Sequence, residues 1–143
     1  MAVPEGYTTV AAYLTTPEAD AVLAFARQVF GAKPLRGPFR GPDGRMVHAS
    51  LQIGDSVVMM GQARDGSVTT AMLHVYVADC DATYADALAA GAVSFMPPAD
   101  QPYGDRAAGV HDVAGNAWWI AQRLEALDDA AMAERIGAQL DPT

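Results

Sequence analysis

The stretch VAAYLTTPEADAVLAFARQVFGA, residues 10–32, decides the fold, because its pattern returns as AMLHVYVADCDATYADALAAGA at residues 71–92. In the first copy Thr8 to Thr15 alternates as a strand. Val10, Ala12 and Leu14 fall on one face, and Ala11, Tyr13 and Thr15 on the other. A helix follows, with Thr16 as its expected N-cap, Pro17 at the first helical position and Gly31 after the last periodic residue. Val22, Leu23, Ala26, Val29 and Phe30 make one apolar helical stripe. In the second copy Met72–Val77 predicts a strand, Asp79 or Asp81 opens a helix, and Gly91 ends it.

The repeat extends outward from these two copies. Leu14 and Val75, Asp20 and Asp81, and Gly54 and Gly115 each stand 61 residues apart. Gly31-Ala32 and Gly91-Ala92 stand 60 apart, so the second helix is one residue shorter. After the first helix, the Gly- and Pro-dense stretch Arg36–Gly44 reads as a loop. Strands at Met46–Ile53 and Ser56–Met60 follow, joined at Gly54-Asp55 as a tight hairpin. Residues 62–70 read as a linker. In the second half Phe95–Gly109 reads as a long loop around Pro97-Pro98, and such loops often serve as lids. Gly115-Asn116 precedes a last strand at Trp118–Ala121, and residues 124–140 predict a further helix, acidic on one side, with Leu124, Leu127, Ala131 and Leu140 among its apolar residues. A half of about 55 residues is too small to bury its own sheet face, so two halves must pair. Strand alternation then puts one sheet face under its helix and leaves the other as a concave wall.

Composition bounds the function. The 143 residues suit one domain, with 51% apolar and 18% charged residues, which is globular composition. A net charge of −8 argues against nucleic acid as a partner, since Lys and Arg carry affinity for phosphates. It argues equally against an anionic membrane surface. A neutral or cationic small molecule suits it better, although acidity also serves plain solubility. The single cysteine allows no internal disulfide, and no targeting or membrane-spanning segment is read, so the expected compartment is the cytoplasm.

Local strings sharpen the picture: Val29-Phe30-Gly31-Ala32, Ile53-Gly54-Asp55-Ser56-Val57, Asp79-Cys80-Asp81-Ala82-Thr83, Pro102-Tyr103-Gly104-Asp105-Arg106 and Asp112-Val113-Ala114-Gly115-Asn116-Ala117-Trp118-Trp119-Ile120. With the duplicated layout they resemble the vicinal oxygen chelate superfamily, which holds glyoxalase I, extradiol dioxygenases and bleomycin-resistance proteins. Within it they look like the PhnB-like or glyoxalase-like branch. The resemblance covers about residues 7–123. It implies an α+β fold of two tandem β-α-β-β-β modules, about 7–61 and 71–123, forming a concave sheet pocket, with the C-terminal helix 124–140 outside it. It also implies a homodimer, since small proteins of this family complete their pockets across a dimer interface.

The family's metal enzymes place His, Glu or Gln ligands on the first and last strand of each module, and those positions carry over to Ala11, Val58, Met72 and Trp119. None of these is a usual ligand for such a metal, nor are their immediate neighbours, so the expected metal and cofactor content is none. Three histidines remain. His74 shares the inward face with Met72 and lies beside Tyr76. It is the one candidate for acid–base catalysis, with Tyr13 or Tyr76 as partner, because imidazole titrates near pH ~6.5. His48 shares a face with Ser50 and Gln52, and His111 precedes Asp112; each also reads as an ordinary hydrogen-bonded strand residue.

Tyr13, Met59, Met72, Tyr76 and Trp119, with His48 and His74, form the expected ligand-binding set, because aromatic faces stack and thioethers adapt to a flat or apolar ligand. Two functional expectations follow, ahead of a metal-dependent glyoxalase- or dioxygenase-like enzyme, which the missing ligands disfavour. The first is a metal-free, bleomycin-resistance-like protein that sequesters a small aromatic or cationic molecule. The second is a metal-independent isomerase or lyase using His74 and tyrosine. Asp105 and Arg106 are expected to pair and pin their loop, and Cys80 falls at a helix start with no evident chemistry.

Overall fold

The computed structural model describes residues 2–140; Met1, residues 141–143 and the side chain of Leu140 lie outside what is described. Eleven elements follow in order. They are β1 (Ala12–Thr15), α1 (Ala19–Phe30), β2 (Lys33–Arg40), β3 (Met46–Ile53), β4 (Ser56–Gly61), β5 (Met72–Tyr76), α2 (Cys80–Ala89), β6 (Val93–Asp100), β7 (Asp105–His111), β8 (Ala117–Arg123) and α3 (Asp129–Leu140). The strands form two four-stranded sheets ordered β1-β4-β3-β2 and β5-β8-β7-β6. In each, the module's first strand runs parallel to its last and the other pairings are antiparallel. The α+β fold of two β-α-β-β-β modules with a C-terminal helix is therefore present.

Local chemistry accounts for most boundaries. Gly31 turns the end of α1 at φ 63°, and the Ala32 N–H closes back on the Ala26 carbonyl at 3.2 Å. At α2 the Asp79 carboxylate accepts the Ala82 N–H at 3.0 Å, an N-cap. Thr16 differs from expectation. Its hydroxyl accepts the Glu18 N–H at 3.0 Å, which builds a turn, and α1 starts only at Ala19. The helix expected from residue 124 likewise starts at Asp129, because the Asp128 carboxylate caps it by accepting the Ala131 N–H at 2.8 Å.

Four other expectations are corrected. The first strand begins at Ala12 rather than Thr8. Most of Arg36–Gly44 belongs to β2, with a cis peptide at Gly37–Pro38, and Phe95–Gly109 is the β6–β7 hairpin rather than a lid. Both Pro-rich strands lie at sheet edges, where a missing N–H breaks no ladder, and both carry irregular register. Nor do Asp105 and Arg106 pair with each other. Arg106 bridges Asp81 (2.8 Å) and Asp100 (2.9 Å), tying β7 to α2 and β6, while Asp105 meets Arg123 at 2.7 Å.

The helices cover one face of each sheet, and one core runs through both modules. Leu14, Val22, Phe25, Leu51, Met60, Val110 and Ile120 belong to it. Trp118, fully buried, joins the halves: its ring stacks on Phe30 of α1 at 5.1 Å and 24°, with Phe25 at 5.6 Å. The β7–β8 turn fixes the indole, since Asp112 accepts bonds from Trp118 Nε1 (2.8 Å), Asn116 Nδ2 (2.9 Å) and the Ala114 and Asn116 N–H groups. Asn116 Oδ1 in turn accepts the Ala71 N–H at 2.9 Å, so one buried turn also sets where β5 begins.

Candidate functional site

With the helices on one side, alternation leaves the other face of each sheet open, and each carries a different lining. Pairing register defines one row of residues across each face. In the first sheet it runs Tyr13, Met59, Ser50, Arg36, and in the second His74, Trp119, Gly109, Met96. All seven expected ligand-binding residues stand on these open faces. Tyr13, His48 and Met59 lie on the first; Met72, His74, Tyr76 and Trp119 lie on the second.

Val58 does not share their face. It packs in the core with Leu14 and Met60, and the open-face residues of β4 are Val57 and Met59. The constant spacing of 61 misplaces it because the second module has lost one residue by the end of α2 and two by β7, and its longer β7–β8 turn, residues 112–116 against Gly54 and Asp55, restores only one of them. In register, Met59 and not Val58 is the counterpart of Trp119. The row through Tyr13, Met59, His74 and Trp119 thus offers a phenol, a thioether, an imidazole and an indole, and the carried-over positions Ala11 and Met72, two residues before Tyr13 and His74, add only a methyl group and a second thioether. That donor set does not fit a divalent cation, which needs several nitrogen or oxygen ligands. Among the described residues no three His, Cys, Asp or Glu side chains come together elsewhere.

The second face is aromatic and uncovered. Met72 is 73% exposed, Tyr76 58% and Phe95 39%. Phe95 packs edge-on against Trp119 at 4.9 Å and tilts over His111 at 4.6 Å. Gly109 makes this possible, because a Cβ there would sit 2.3 Å from the Phe95 ring. His74 lies 5.0 Å from Tyr76, ring to ring, and among the described residues makes no side-chain hydrogen bond. The Tyr76 hydroxyl instead donates to Asp105 Oδ2 at 3.2 Å. Asp105, 1% exposed, closes one end of the face with Arg123 and Tyr103. Tyr76 and then Asp105 hold the Arg123 guanidinium above its ordinary range, while burial, aided by the Asp105 charge, pushes the Tyr103 phenol up.

The first face is polar and partly covered. The chain before β1 folds across it, so that Tyr7 reaches Ser50, a residue alternation alone marks only as inward. The Tyr7 hydroxyl donates to Ser50 Oγ at 2.8 Å, His48 Nε2 lies 2.8 Å from the same oxygen, and His48 Nδ1 lies 3.1 Å from the Tyr13 hydroxyl. Sequence reasoning missed Tyr7 and Ser50. The shared parity of His48 and Ser50 was the one available signal. Between the two sheets runs an open groove of about 670 Å³, floored by Phe30 and Trp118 and bordered by Val10–Ala12 of the first module and Leu73–Ala78 of the second. It takes in His74 and Tyr76 of the expected set. Cys80 is buried, with its thiol on the Ile120 carbonyl, and burial followed by the Asp81 charge raises its pKa, which leaves it an unreactive core residue.

This duplicated fold and its open faces define a class, and the sequence comparison agrees. Residues 7–120 match the Glyoxalase/Bleomycin resistance protein/Dioxygenase superfamily, and the chain belongs to it. An uncharacterized protein of Mycobacterium tuberculosis (strain ATCC 25618 / H37Rv) is 33% identical over 122 residues, covering 77% of this chain and 71% of that protein. Among solved structures, TioX from Micromonospora sp. ML1 is similar with a TM-score of 0.63 and 27% identity, covering 85% of this chain and 100% of that one. A lactoylglutathione lyase from Agrobacterium tumefaciens shares the fold at a TM-score of 0.60 and 19% identity, with 83% and 94% covered. No helix among the described residues is long and apolar enough to cross a membrane.

Proposed function

We propose that this protein binds a small, flat aromatic or cationic molecule on its open sheet faces without a metal, in the manner of a bleomycin-resistance protein, and so sequesters it in the cytoplasm. The observation that carries this reading is the uncovered aromatic face of the second sheet. Met72, Tyr76, Phe95 and Trp119 spend apolar surface on solvent, and such patches usually mark binding sites. Ring faces and a thioether suit a planar guest, and an overall charge of −8 favours a cationic one. The donor set at Tyr13, Met59, His74 and Trp119 supports the metal-free reading.

The same surface supports a homodimer in which a second copy lays its first sheet over this second sheet. The seven ligand-binding residues, divided between two faces of one chain, would then line one cavity. We also place the chain in the PhnB-like branch on its Asp112–Ile120 string.

Titration of Trp119 fluorescence with a panel of planar cationic and neutral aromatic compounds, alongside sedimentation velocity, tests the proposal. Saturable quenching by at least one compound, lost in Trp119→Ala, and a mass near twice 15.0 kDa are expected. A monomer that binds none of the panel would overturn it.

A further inference from the structure

The hydrogen bonds on the first sheet have a direction, and it points at the ligand face. Ser50 is fully buried and carries one proton. Its oxygen already accepts the Tyr7 hydroxyl proton, and among the described residues its only other side-chain neighbour is His48 Nε2. If Nε2 also donated to Ser50, the buried hydroxyl proton would have no acceptor, which costs more than a made bond returns. Ser50 therefore donates to Nε2. A neutral imidazole with Nε2 accepting carries its proton on Nδ1, so Nδ1–H donates to the Tyr13 oxygen. Among the described residues the Tyr13 hydroxyl proton then has no partner, on a ring that is 44% exposed.

Glycine at position 61 lets the end of β4 pass close to the β3 backbone beside that phenol. A Cβ at Gly61 would stand 2.4 Å from the Val47 carbonyl oxygen and 3.4 Å from the Tyr13 hydroxyl. At the other end of the chain of bonds, Tyr7 borders a shallow hollow lined by residues 2–4 and 8–11 and by Met59. The four groups thus span from that hollow to the open face.

We infer that Tyr7, Ser50, His48 and Tyr13 form a one-way relay that makes Tyr13 a proton donor to a ligand oxygen, and that the ligand class is a planar aromatic carrying a carbonyl or phenolate oxygen. Each bond in such a chain polarises the next, so Tyr13 donates more strongly than an isolated phenol. When the ligand oxygen takes the Tyr13 proton, Nδ1–H passes to Tyr13, the Ser50 proton to Nε2 and the Tyr7 proton to Ser50. Water at the hollow then resupplies Tyr7. This rests on the reading that the open faces bind the ligand, but it assigns proton donation to His48 and Tyr13, where His74 is the candidate read from sequence.

Two measurements test it. Long-range ¹⁵N–¹H NMR of the His48 ring should show a neutral imidazole protonated on Nδ1, with the Nε2 signal moving in Ser50→Ala and, by a smaller amount, in Tyr7→Phe. An Nε2–H tautomer, or no response to Ser50→Ala, overturns the relay whatever the protein binds. The second uses 4-(dimethylamino)cinnamaldehyde, a flat aldehyde whose absorption moves to longer wavelength when its carbonyl accepts a strong hydrogen bond. A red shift on binding is expected, lost in Tyr13→Phe together with a roughly three- to tenfold weaker affinity, and reduced in Tyr7→Phe. Binding without a red shift, or an equal shift in Tyr13→Phe, overturns the donor role and leaves the proposed binding function standing. No binding of the aldehyde overturns the ligand class, whereas no binding of any aromatic compound overturns the proposed function itself.

Discussion

The indole of Trp118 donates to Asp112 at 2.8 Å, both residues buried, and the same ring stacks on Phe30 of the other module. One side chain therefore reads a turn on one side and fixes the packing of two half-domains on the other. Asp112→Ala leaves the indole N–H, the Asn116 amide and two backbone N–H groups without their acceptor. A loss of roughly 2–4 kcal/mol in urea unfolding is expected. Unchanged stability would mean that the turn holds without its carboxylate.

Trp118 itself tests the joint between modules. Trp118→Ala removes the largest fully buried side chain and should cost about 3–5 kcal/mol, whereas Trp119→Ala, one residue away on the open face, should cost far less. Equal losses in thermal denaturation would contradict the assignment of the two rings to opposite faces.

Gly109 reserves the place of the Phe95 ring. Gly109→Ala forces that ring off its strand, with an expected destabilisation of about 1–3 kcal/mol and a change in Trp119 emission as its edge contact is lost. Phe95→Ala in the Gly109→Ala background should recover much of the stability, since the clash then has no second party.

The Arg106 guanidinium, through its two hydrogen bonds to Asp81, pulls that carboxyl below its ordinary range. A carboxylate lowered in the folded state adds stability above its unfolded value of about 4, and the contribution disappears as the pH falls through the lowered folded value. The pair is exposed, so the effect is small. Arg106→Gln should lower the urea midpoint slightly near neutrality and flatten its acid limb, so that the variant and the parent converge as the pH falls well below about 4. An identical acid limb would remove the pair from the stability of the α2–β7 contact.

The Gly104 backbone at φ 94° lies against the chain that leads to α3, and a Cβ would stand 2.7 Å from the Glu125 carbonyl oxygen. Gly104→Ala should loosen residues 124–128, seen as faster proteolysis there, while hydrogen-exchange protection of the β6–β7 hairpin is preserved. Equal cleavage rates would show that the Gly104 carbonyl, which accepts the Leu124 and Glu125 N–H groups, does not anchor the segment.

The modules were legible because helix stripes and caps are local signals. Gly31 and Asp79 do in the structure what their chemistry implies in the chain. The edge strands β2 and β6 were not legible, because Pro34, Pro38, Pro97 and Pro98 carry loop chemistry that only an edge position tolerates. The open-face residues followed from alternation, except at Val58, where a constant shift of 61 ignores the residues the second module has lost before its last strand. Tyr7 escaped notice for a different reason. Its contact with Ser50 spans 43 residues and depends on how an irregular segment crosses a sheet, which no periodicity encodes.

The row that crosses each sheet also records how the duplicated halves drifted. Tyr13 and His74 are 61 residues apart, Met59 and Trp119 are 60, and Ser50 and Gly109 are 59, yet each pair occupies one place in its pleat. At the third place one half keeps a hydroxyl for a neighbouring imidazole, and the other has given up its side chain so that a benzene ring can lie flat. Ancestral symmetry survives here as geometry and has been erased as chemistry. Anyone transplanting a residue from one half to the other should count strands and rows, since a constant numerical shift would deliver it to the wrong side of the sheet.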